Sequence, residues 1–308
     1  MRRALALLSL GIAALGAGCA SADPLRLYLA GSRVVIQDGD AVFAEYRADG
    51  PRGPAIWPLC APGGEPVTRA YPFFVVEGEA QDHPHHTSFW FAHGAVNGVD
   101  FWQGNGRIVP VSMLVEQAGH RIEQACDWRD ERGATVVHER REYGFHTGAE
   151  WRAVDFATSL RRDEGPFTFG DTKEGTLALR LRPEFCLQGP GAAGRVVNSE
   201  GVVGAAVWGK PARWVAYAAE LGGVTHTVAL FDHPLNHGHP TTWHARGYGL
   251  CAANPFGLSD FAKAPKGTGD LVVPQGAELR LRYRVWLHRG PCDAAAIEAA
   301  WRAFTARG

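Results

Sequence analysis

The sequence predicts an all-β protein, a large antiparallel β-sandwich with a short C-terminal helix. Apolar and polar residues alternate with a period of two through most readable segments, which is typical of strands with one buried face. The 38 glycines and 19 prolines lie mostly between these segments, where turns are expected. Strands do not alternate with helices along the chain, so a nucleotide-binding α/β fold is not indicated.

The clearest strand lies near the C-terminus, where Leu279, Leu281, Tyr283 and Val285 alternate with three arginines. This pattern predicts one core face and one strongly polar face. Segments on either side of Asp38–Asp40 form a predicted hairpin, because Asp-Gly sequences favour tight turns. The other strands are predicted at Leu25–Leu29, Arg33–Gln37, Ala41–Tyr46, Val109–Glu116, His120–Trp128, Thr135–Tyr143, Arg152–Leu160, Thr176–Arg182, Trp214–Leu221 and Thr225–Phe231.

One helix is predicted, at the C-terminal end of the chain. Asp293 is a suitable N-cap, and Ile297, Trp301 and Phe304 fall on one face of the segment that follows. The helix is expected to end before Gly308.

The first 22 residues have the pattern of an export signal. Two arginines precede a short apolar core at Ala4–Ala17, and Ala20–Ala22 fits a small-residue cleavage site. Alternatively, Cys19 is the first residue of a mature lipoprotein and carries a lipid anchor. The apolar run is shorter than the roughly 18 to 20 residues of a transmembrane helix. We therefore expect a periplasmic protein or an outer-membrane lipoprotein, with a single domain from residue 23 to 308.

Charge and cysteine content restrict the function further. Without residues 1–22, Lys and Arg fall from 31 to 29 against 32 Asp and Glu, a net charge near −3. Nucleic-acid binding is not expected, since it favours a basic surface. Five cysteines follow Cys19, and none forms a C-x-x-C pair, so a structural zinc site is not indicated. One or two disulfides and small buried thiols both fit this spacing.

Histidines concentrate in two segments. Residues 82–102 contain four of the thirteen histidines together with two carboxylates and several large aromatic rings, and a second histidine-rich segment covers residues 232–244. Imidazoles transfer protons near neutral pH or bind metals, and aromatic faces provide apolar platforms. We therefore predict one pocket built from both segments. Its candidate residues are His85, His86, His93, Asp100 and Trp102 from the first segment, and Asn236, Trp243, His244 and the following Arg246 from the second.

Two glutamates are candidates for acid–base chemistry. Glu174 follows Lys173 and precedes the strand that carries Arg180, and either cation is able to keep its carboxylate ionised. Glu200 offers a second carboxylate of the same kind. Two such acids are the minimum for glycoside hydrolysis. Tryptophans among His, Asn, Arg and Glu suit a carbohydrate ligand better than a lipid or a phosphate.

Several motifs resemble the bacterial family labelled "methane oxygenase PmoA", a domain of otherwise unknown function. The matching segments are Asp82–His86, His93–Trp102, Gly170–Gly175, Asn198–Gly201, Trp208–Lys210, Asp232–Pro234, Tyr248–Leu250 and Asn254–Gly257. This family is in turn similar to galactose-mutarotase-like supersandwiches, which bind sugars on a concave sheet and pair histidines with a glutamate. The resemblance implies such roles for His86, His93 and Glu174.

The sequence thus predicts an exported carbohydrate-active enzyme that acts on a sugar or glycoside by hydrolysis, elimination or epimerisation. His86 or His93 is the expected acid, Glu174 the expected base, and Asp100 is expected to orient one imidazole. No cofactor is expected. One alternative is a metal-dependent enzyme in which His85, His86 and a residue of the second histidine-rich segment bind a divalent metal, and another is a non-catalytic glycan-binding surface protein.

Overall fold

The computed structural model describes residues 25–306, and nearly all of its regular structure is β-strand. The predicted export segment and Cys19 lie outside these residues. The strands are β1 (Leu25–Ala30), β2 (Arg33–Asp38), β3 (Ala41–Arg47), β4 (Ala55–Leu59), β5 (Phe89–His93), β6 (Arg107–Glu116), β7 (Arg121–Arg129), β8 (Thr135–Gly148), β9 (Trp151–Arg161), β10 (Phe167–Phe169), β11 (Gly175–Arg180), β12 (Arg195–Asn198), β13 (Trp214–Leu221), β14 (Val224–Asp232), β15 (Trp243–Ala245), β16 (Leu250–Ala253), β17 (Leu271–Val273) and β18 (Leu279–Arg289). The α-helices are α1 (Leu258–Phe261) and α2 (Ala294–Thr305), and short 3₁₀ helices cover Pro183–Phe185 and Gly204–Val207.

The strands form two large antiparallel sheets. The first sheet has the spatial order β1-β2-β3-β4-β5-β11-β16-β15, and the second has the order β12-β13-β14-β18-β9-β8-β7-β6. A separate pair joins β10 to β17. Two eight-stranded sheets followed by a short C-terminal helix confirm the predicted fold class.

Aromatic side chains from both sheets meet in the core. Phe91 of β5 contacts Phe156 and Trp128 of the second sheet, with ring centroids 5.3 Å and 5.8 Å apart. Phe89 contacts Tyr143 in the same way. Because side chains alternate along a strand, the residues between these phenylalanines point to the opposite face of the first sheet. We call that face, directed away from the second sheet, the outer face.

A buried ion pair lies within this otherwise apolar core. The side chains of Glu139 and Arg141, both on β8, have no exposed surface. Besides Arg141, the Glu139 carboxylate accepts hydrogen bonds from the Trp128 indole at 2.7 Å and the Thr158 hydroxyl at 2.8 Å. Every oxygen of the buried carboxylate is therefore hydrogen-bonded, which is the condition for keeping a charge away from water.

The five cysteines of residues 25–306 form no disulfide bonds. Cys60, Cys126, Cys186, Cys251 and Cys292 are free thiols, and the first four are buried. Among residues 25–306, no helix has the length and apolar character needed to cross a bilayer.

Helix α2 packs against the second sheet as its amphipathic pattern predicts. Ile297 and Phe304 are buried, and the Trp301 indole donates to the carbonyl of Asp232 at 2.9 Å. At the start of the helix, the Asp293 carboxylate accepts a hydrogen bond from the amide of Ala295 at 2.9 Å.

Replacing this N-cap is expected to have a modest effect on stability. Asp293→Ala leaves a helix amide without its acceptor, so we expect the free energy of unfolding to fall by about 1 kcal/mol. Asp293→Asn keeps an acceptor and is expected to change it by a few tenths of a kcal/mol at most. Urea denaturation of both variants measures the difference, and equal stability of the two would contradict a capping role.

Candidate functional site

Four neighbouring strands of the first sheet place a row of side chains on its outer face. Cross-strand pairing aligns Trp90 of β5 with Ala178 of β11. It also aligns Ala178 with Ala252 of β16, and Ala252 with His244 of β15. Arg180 lies two residues beyond Ala178 and therefore on the same face. The outer face thus carries two of the predicted site residues, His244 and Arg180.

The loop at residues 82–86 folds over Arg180. One guanidinium nitrogen of Arg180 donates to Nδ1 of His86 at 2.9 Å, and another donates to Oδ1 of Asp82 at 2.7 Å. Oδ2 of Asp82 lies 2.9 Å from Nδ1 of His83. Arg180 therefore holds the histidine-rich loop against β11.

Planar rings stack above this ion pair. The ring centroids of His83 and His86 are 4.8 Å apart with nearly parallel planes. His86 also stacks on Trp90 at 5.3 Å, and His83 stacks on Tyr248 at 5.2 Å. The Arg180 guanidinium lies 4.6 Å from the centre of the Tyr248 ring, a cation–π contact.

A second buried arginine, Arg69, shares the same carboxylate. Its guanidinium donates to Oδ1 of Asp82 at 2.6 Å and to the carbonyl of His83 at 3.1 Å. Burial acts to raise the pKa of the Asp82 carboxyl, but Arg180, Arg69 and His83 together hold it below its usual value. Asp82 is therefore ionised at neutral pH.

The protonation state of His86 follows from its partner. A guanidinium only donates hydrogen bonds, so Nδ1 of His86 is an acceptor and the ring proton sits on Nε2. Burial lowers the pKa of His86 strongly, and the charges of His85 and Arg180 lower it further. Burial likewise lowers the pKa of His85 to about 4. Both rings are therefore neutral at pH 7, and His86 is a hydrogen-bond donor rather than a charged acid.

Other predicted residues border the outer face. Lys173 Nζ lies 3.0 Å from Oε1 of Glu174. Arg246 Nε donates to Nε2 of His244 at 3.2 Å, and burial together with Arg246 and Lys173 lowers the pKa of His244 to about 3. Glu174 and Arg246 are also among the charges that act on the Tyr248 hydroxyl. Lys173, Glu174, His244 and Arg246 therefore belong to the surroundings of Tyr248.

His93 does not join this group. It lies on β5 in phase with Phe91, so it points into the sandwich, where it is completely buried. Its Nε2 is 2.8 Å from the carbonyl of Gly170, and its ring stacks on Phe169. Trp243 also points inward and donates its indole N–H to the carbonyl of Ala212 at 2.9 Å.

Asp100 and Trp102 lie beside the histidines, but Asp100 binds backbone rather than imidazole. Its Oδ1 accepts hydrogen bonds from the amides of Trp102 and Gln103 at 2.8 Å and 3.0 Å. These bonds fix a turn that places the Trp102 ring against Trp90 at 5.0 Å and against His86 at 5.9 Å.

Glu200 and Asn236 form contacts elsewhere. Glu200 lies at the turn after β12, 3.6 Å from the guanidinium of Arg213. Asn236 binds the Asp232 carboxylate at 2.8 Å and exchanges two hydrogen bonds with the backbone of Arg282. Asp232 also lies 2.7 Å from Nδ1 of His239. The second histidine-rich segment is thus divided. His244, at its end, lies on the outer face, whereas Asp232 and Asn236, at its beginning, anchor a loop.

A cavity of about 330 Å³ opens beside the ion pair and is lined by Arg69, Asp82, Arg180 and Tyr248. A neighbouring cavity of about 230 Å³ shares Gly78, Pro183 and Pro190 with it. We refer to the two together as the cleft. A wider groove of about 560 Å³ crosses strands β6 to β9 and β18. We place the site at the cleft because buried charges and stacked rings converge there.

Arg69 and Tyr248 were not predicted as site residues. Arg69 is a single arginine in a long loop, and nothing in its local sequence distinguishes it. Tyr248 precedes Gly249, which has a φ of 88° and would place a Cβ 2.9 Å from the sulfur of Cys186. The glycine required at that turn is a local signal that points to Tyr248, in addition to the family-like motif Tyr248–Leu250.

The metal-dependent alternative has little support in the geometry around His86. Within residues 25–306, no group of three or more His, Cys, Asp or Glu side chains is arranged to hold a metal ion. Moreover, the Arg180 guanidinium occupies Nδ1 of His86, and its positive charge disfavours a second cation at that ring.

Several solved structures are similar to this chain at low sequence identity. A glycoside hydrolase family 97 enzyme from Pseudoalteromonas sp. strain K8, in complex with panose, has 7% identity and a TM-score of 0.37. The match covers 85% of this chain and 33% of that enzyme, so the chain spans about a third of its length. A putative aldose 1-epimerase from Escherichia coli K12 has 13% identity and a TM-score of 0.38, with 86% and 99% of the two chains covered. A galactose mutarotase-like protein from Clostridium acetobutylicum has 7% identity and a TM-score of 0.37, with 85% and 94% covered.

At such identities and TM-scores these likenesses carry no argument about activity. No curated protein matches the sequence. The model of the family described as "Family of unknown function (DUF6807)" matches residues 33–302, and the chain therefore belongs to that family.

Proposed function

We propose that the protein is an exported carbohydrate-active enzyme that transforms a sugar or glycoside by acid–base chemistry in the cleft. The observation that carries this proposal is a cavity of about 330 Å³ lined by Arg180, Asp82 and Tyr248, with His86 hydrogen-bonded to Arg180 behind this lining. Export is proposed on the sequence of residues 1–22, and the resemblance to the PmoA-labelled family stays a prediction.

The chemistry of the cleft suits a sugar. The Tyr248 ring lines the cavity, where its aromatic edge and face can pack against the C–H groups of a pyranose, and the stacked ring of His83 supports it from one side. Guanidinium, imidazole and phenol groups stand beside them and provide directed partners for hydroxyl groups. A concave site with apolar walls and a few fixed polar groups is the usual form of a small-molecule site.

The structure modifies the roles expected from the sequence. A neutral His86 whose Nδ1 is occupied by Arg180 contributes its Nε2–H as a hydrogen-bond donor to substrate oxygen. Burial raises the pKa of the Tyr248 hydroxyl, although Arg180 and Arg246 oppose this effect, so Tyr248 is protonated and serves as the proton donor. Glu174, paired with Lys173, remains the proposed base on the sequence argument; it does not line the cleft, but its charge acts on the Tyr248 hydroxyl.

Removal of the Tyr248 hydroxyl is expected to abolish most of the activity. A glycan panel with chromatographic detection of products first identifies the substrate of the wild-type protein. On that substrate, Tyr248→Phe is expected to lower kcat/KM by about 10²-fold or more, because a positioned proton donor contributes 10²–10⁴-fold. Tyr28→Phe, at a half-exposed tyrosine on β1, is the matched control and is expected to retain full activity.

Three further measurements test this proposal against its alternatives. Normal turnover in both Tyr248→Phe and His86→Ala, with intact folding, would eliminate the acid–base assignment. Saturable glycan binding without product after long incubation would identify a binding protein instead. Activity that disappears in metal-free protein and returns with a divalent metal would favour the metal-dependent alternative.

A further inference from the structure

Two buried guanidinium groups line the same cavity. The side chains of Arg69 and Arg180 are each 2% exposed, and both belong to the lining of the larger cavity of the cleft. The Nε atom of each is buried without a hydrogen-bond partner. Two cations side by side, away from bulk water, are unfavourable unless negative charge balances them.

The lining of the cavity supplies only part of the negative charge that would offset the two guanidinium groups. A single oxygen of Asp82 accepts hydrogen bonds from both guanidinium groups, and the other oxygen is bound to His83. The carboxylate of Glu79 lies outside the lining of this cavity, where it accepts hydrogen bonds from the backbone amides of Ala70 and Tyr71, and its charge acts on Arg69. The remaining lining residues of this cavity carry no formal charge: Gly78, Ala80, Leu181, Pro183, Cys186, Gln188, Gly189, Pro190 and Tyr248.

We propose that the cavity binds a ligand group with one negative charge, and that this group is the carboxylate of an acidic sugar held by Arg69 and Arg180. In the lining of this cavity two guanidinium groups face the single carboxylate of Asp82, so a monoanion fits the charge of the lining better than a doubly charged phosphate. A planar carboxylate also matches the fork of donors that a guanidinium presents.

The shape of the cleft indicates that the ligand is longer than one sugar residue. The carboxylate site lies in the larger cavity, beside Tyr248, and the adjoining cavity leads away from it past Val76 and Glu184. An acidic sugar bound at the Tyr248 end therefore leaves room for further sugar residues towards Val76. The inference rests on the proposed function and narrows its substrate class to oligosaccharides that contain a uronic acid.

Matched pairs of ligands test the charge requirement directly. Calorimetry on the full protein compares galacturonate with galactose and glucuronate with glucose, pairs that differ only in a carboxylate for a hydroxymethyl group. We expect at least one acid to bind about tenfold or more tightly than its neutral partner, as a hydrogen bond to a charged group implies. Galactose 6-sulfate is the third ligand, since a sulfate ester carries the same charge with different geometry.

Arginine variants test whether Arg69 is responsible for the preference for the acidic sugar. Arg69→Met is expected to reduce the ratio of acid to neutral affinity to near one. Arg284→Met is the matched control, because Arg284 is also a buried arginine paired with an aspartate, Asp155, but on the second sheet. It is expected to leave the ratio unchanged.

Asp82→Asn is expected to change the ratio of acid to neutral affinity in the opposite direction. It removes the internal negative charge and is expected to raise the affinity for the acid relative to the neutral sugar several-fold. Loss of folding does not produce such an increase, so this variant is informative even if Arg69→Met proves unstable.

The outcomes distinguish the two proposals. Equal affinity for acid and neutral sugars overturns the carboxylate site while leaving the proposed function in place. Tighter binding of galactose 6-sulfate than of either uronate overturns the assignment to a carboxylate. Acid-selective binding that Arg69→Met abolishes, with no turnover of any uronic-acid oligosaccharide, supports the anion site and contradicts the enzymatic function.

Discussion

Replacement of Arg141 by methionine is expected to lower the free energy of unfolding by about 3–5 kcal/mol. The Glu139 carboxyl group would then lie between the two sheets with its cationic partner removed. The hydrogen bonds from Trp128 and Thr158 persist, but they are too few to compensate for a carboxylate that has no exposed surface.

Two comparisons isolate this effect from the loss of side-chain packing. The double variant Glu139→Gln/Arg141→Met removes both charges and is expected to recover a large part of the loss. Arg280→Met disrupts the exposed pair of Arg280 with Glu278 and is expected to cost at most about 1 kcal/mol. Chemical denaturation at pH 7 measures the free energy of unfolding of each variant. If Arg141→Met lowers it less than Arg280→Met does, Arg141 is not the charge that compensates Glu139.

The second large expected effect is on the pH dependence of stability and arises from the buried His93. Burial lowers the pKa of His93 to about 4, although the hydrogen bond to Gly170 and the charge of Asp100 oppose this shift. The unfolded chain has an ordinary histidine with a pKa near 6.5, so it binds more protons than the folded protein between these values. The contribution of neutral His93 to the free energy of unfolding is therefore fully present above about pH 6.5. It is lost as the pH falls towards 4, and the free energy of unfolding then decreases by about 3 kcal/mol in total.

His93→Gln should remove this part of the pH dependence. The difference in unfolding free energy between pH 7 and pH 4 is expected to be smaller in the variant by about 3 kcal/mol. His288→Gln is the comparison, because burial also lowers the pKa of His288 but this residue is only partly buried, so the change in pH dependence is expected to be smaller. An unchanged pH dependence in His93→Gln would mean that the folded protein accepts a charge at this position.

The long strands of the fold were predictable because one of their faces is polar. The strand predicted at His120–Trp128 corresponds to β7, in which buried and more exposed residues alternate, and the arginine-rich strand near the C-terminus is β18. In contrast, β5 and β16 were not predicted, since every residue in them is buried and their sequences show no alternation. Strand β11 is also fully buried but was predicted, because Leu177, Leu179 and Leu181 alternate with Arg180 and Arg182. Hydrophobic periodicity gives no signal where both faces of a strand carry apolar residues.

The same limitation explains which site residues were predicted. His85, His86 and Trp102 lie together, as their density in the sequence indicates. The inward orientation of His93 depends on the phase of β5, which its five buried residues do not reveal. The position of Arg69 depends on a loop that reaches β11 from another part of the chain, so only the folded structure shows that two arginines share Asp82.

The hydrogen bond from Arg180 to His86 also limits how a proton travels through the site. A ring locked in a single tautomer is unable to pick up a proton at one nitrogen and release it from the other. A relay through His86 to the solvent is therefore closed, and turnover has to recycle protons by a separate path that begins at Tyr248 or Glu174.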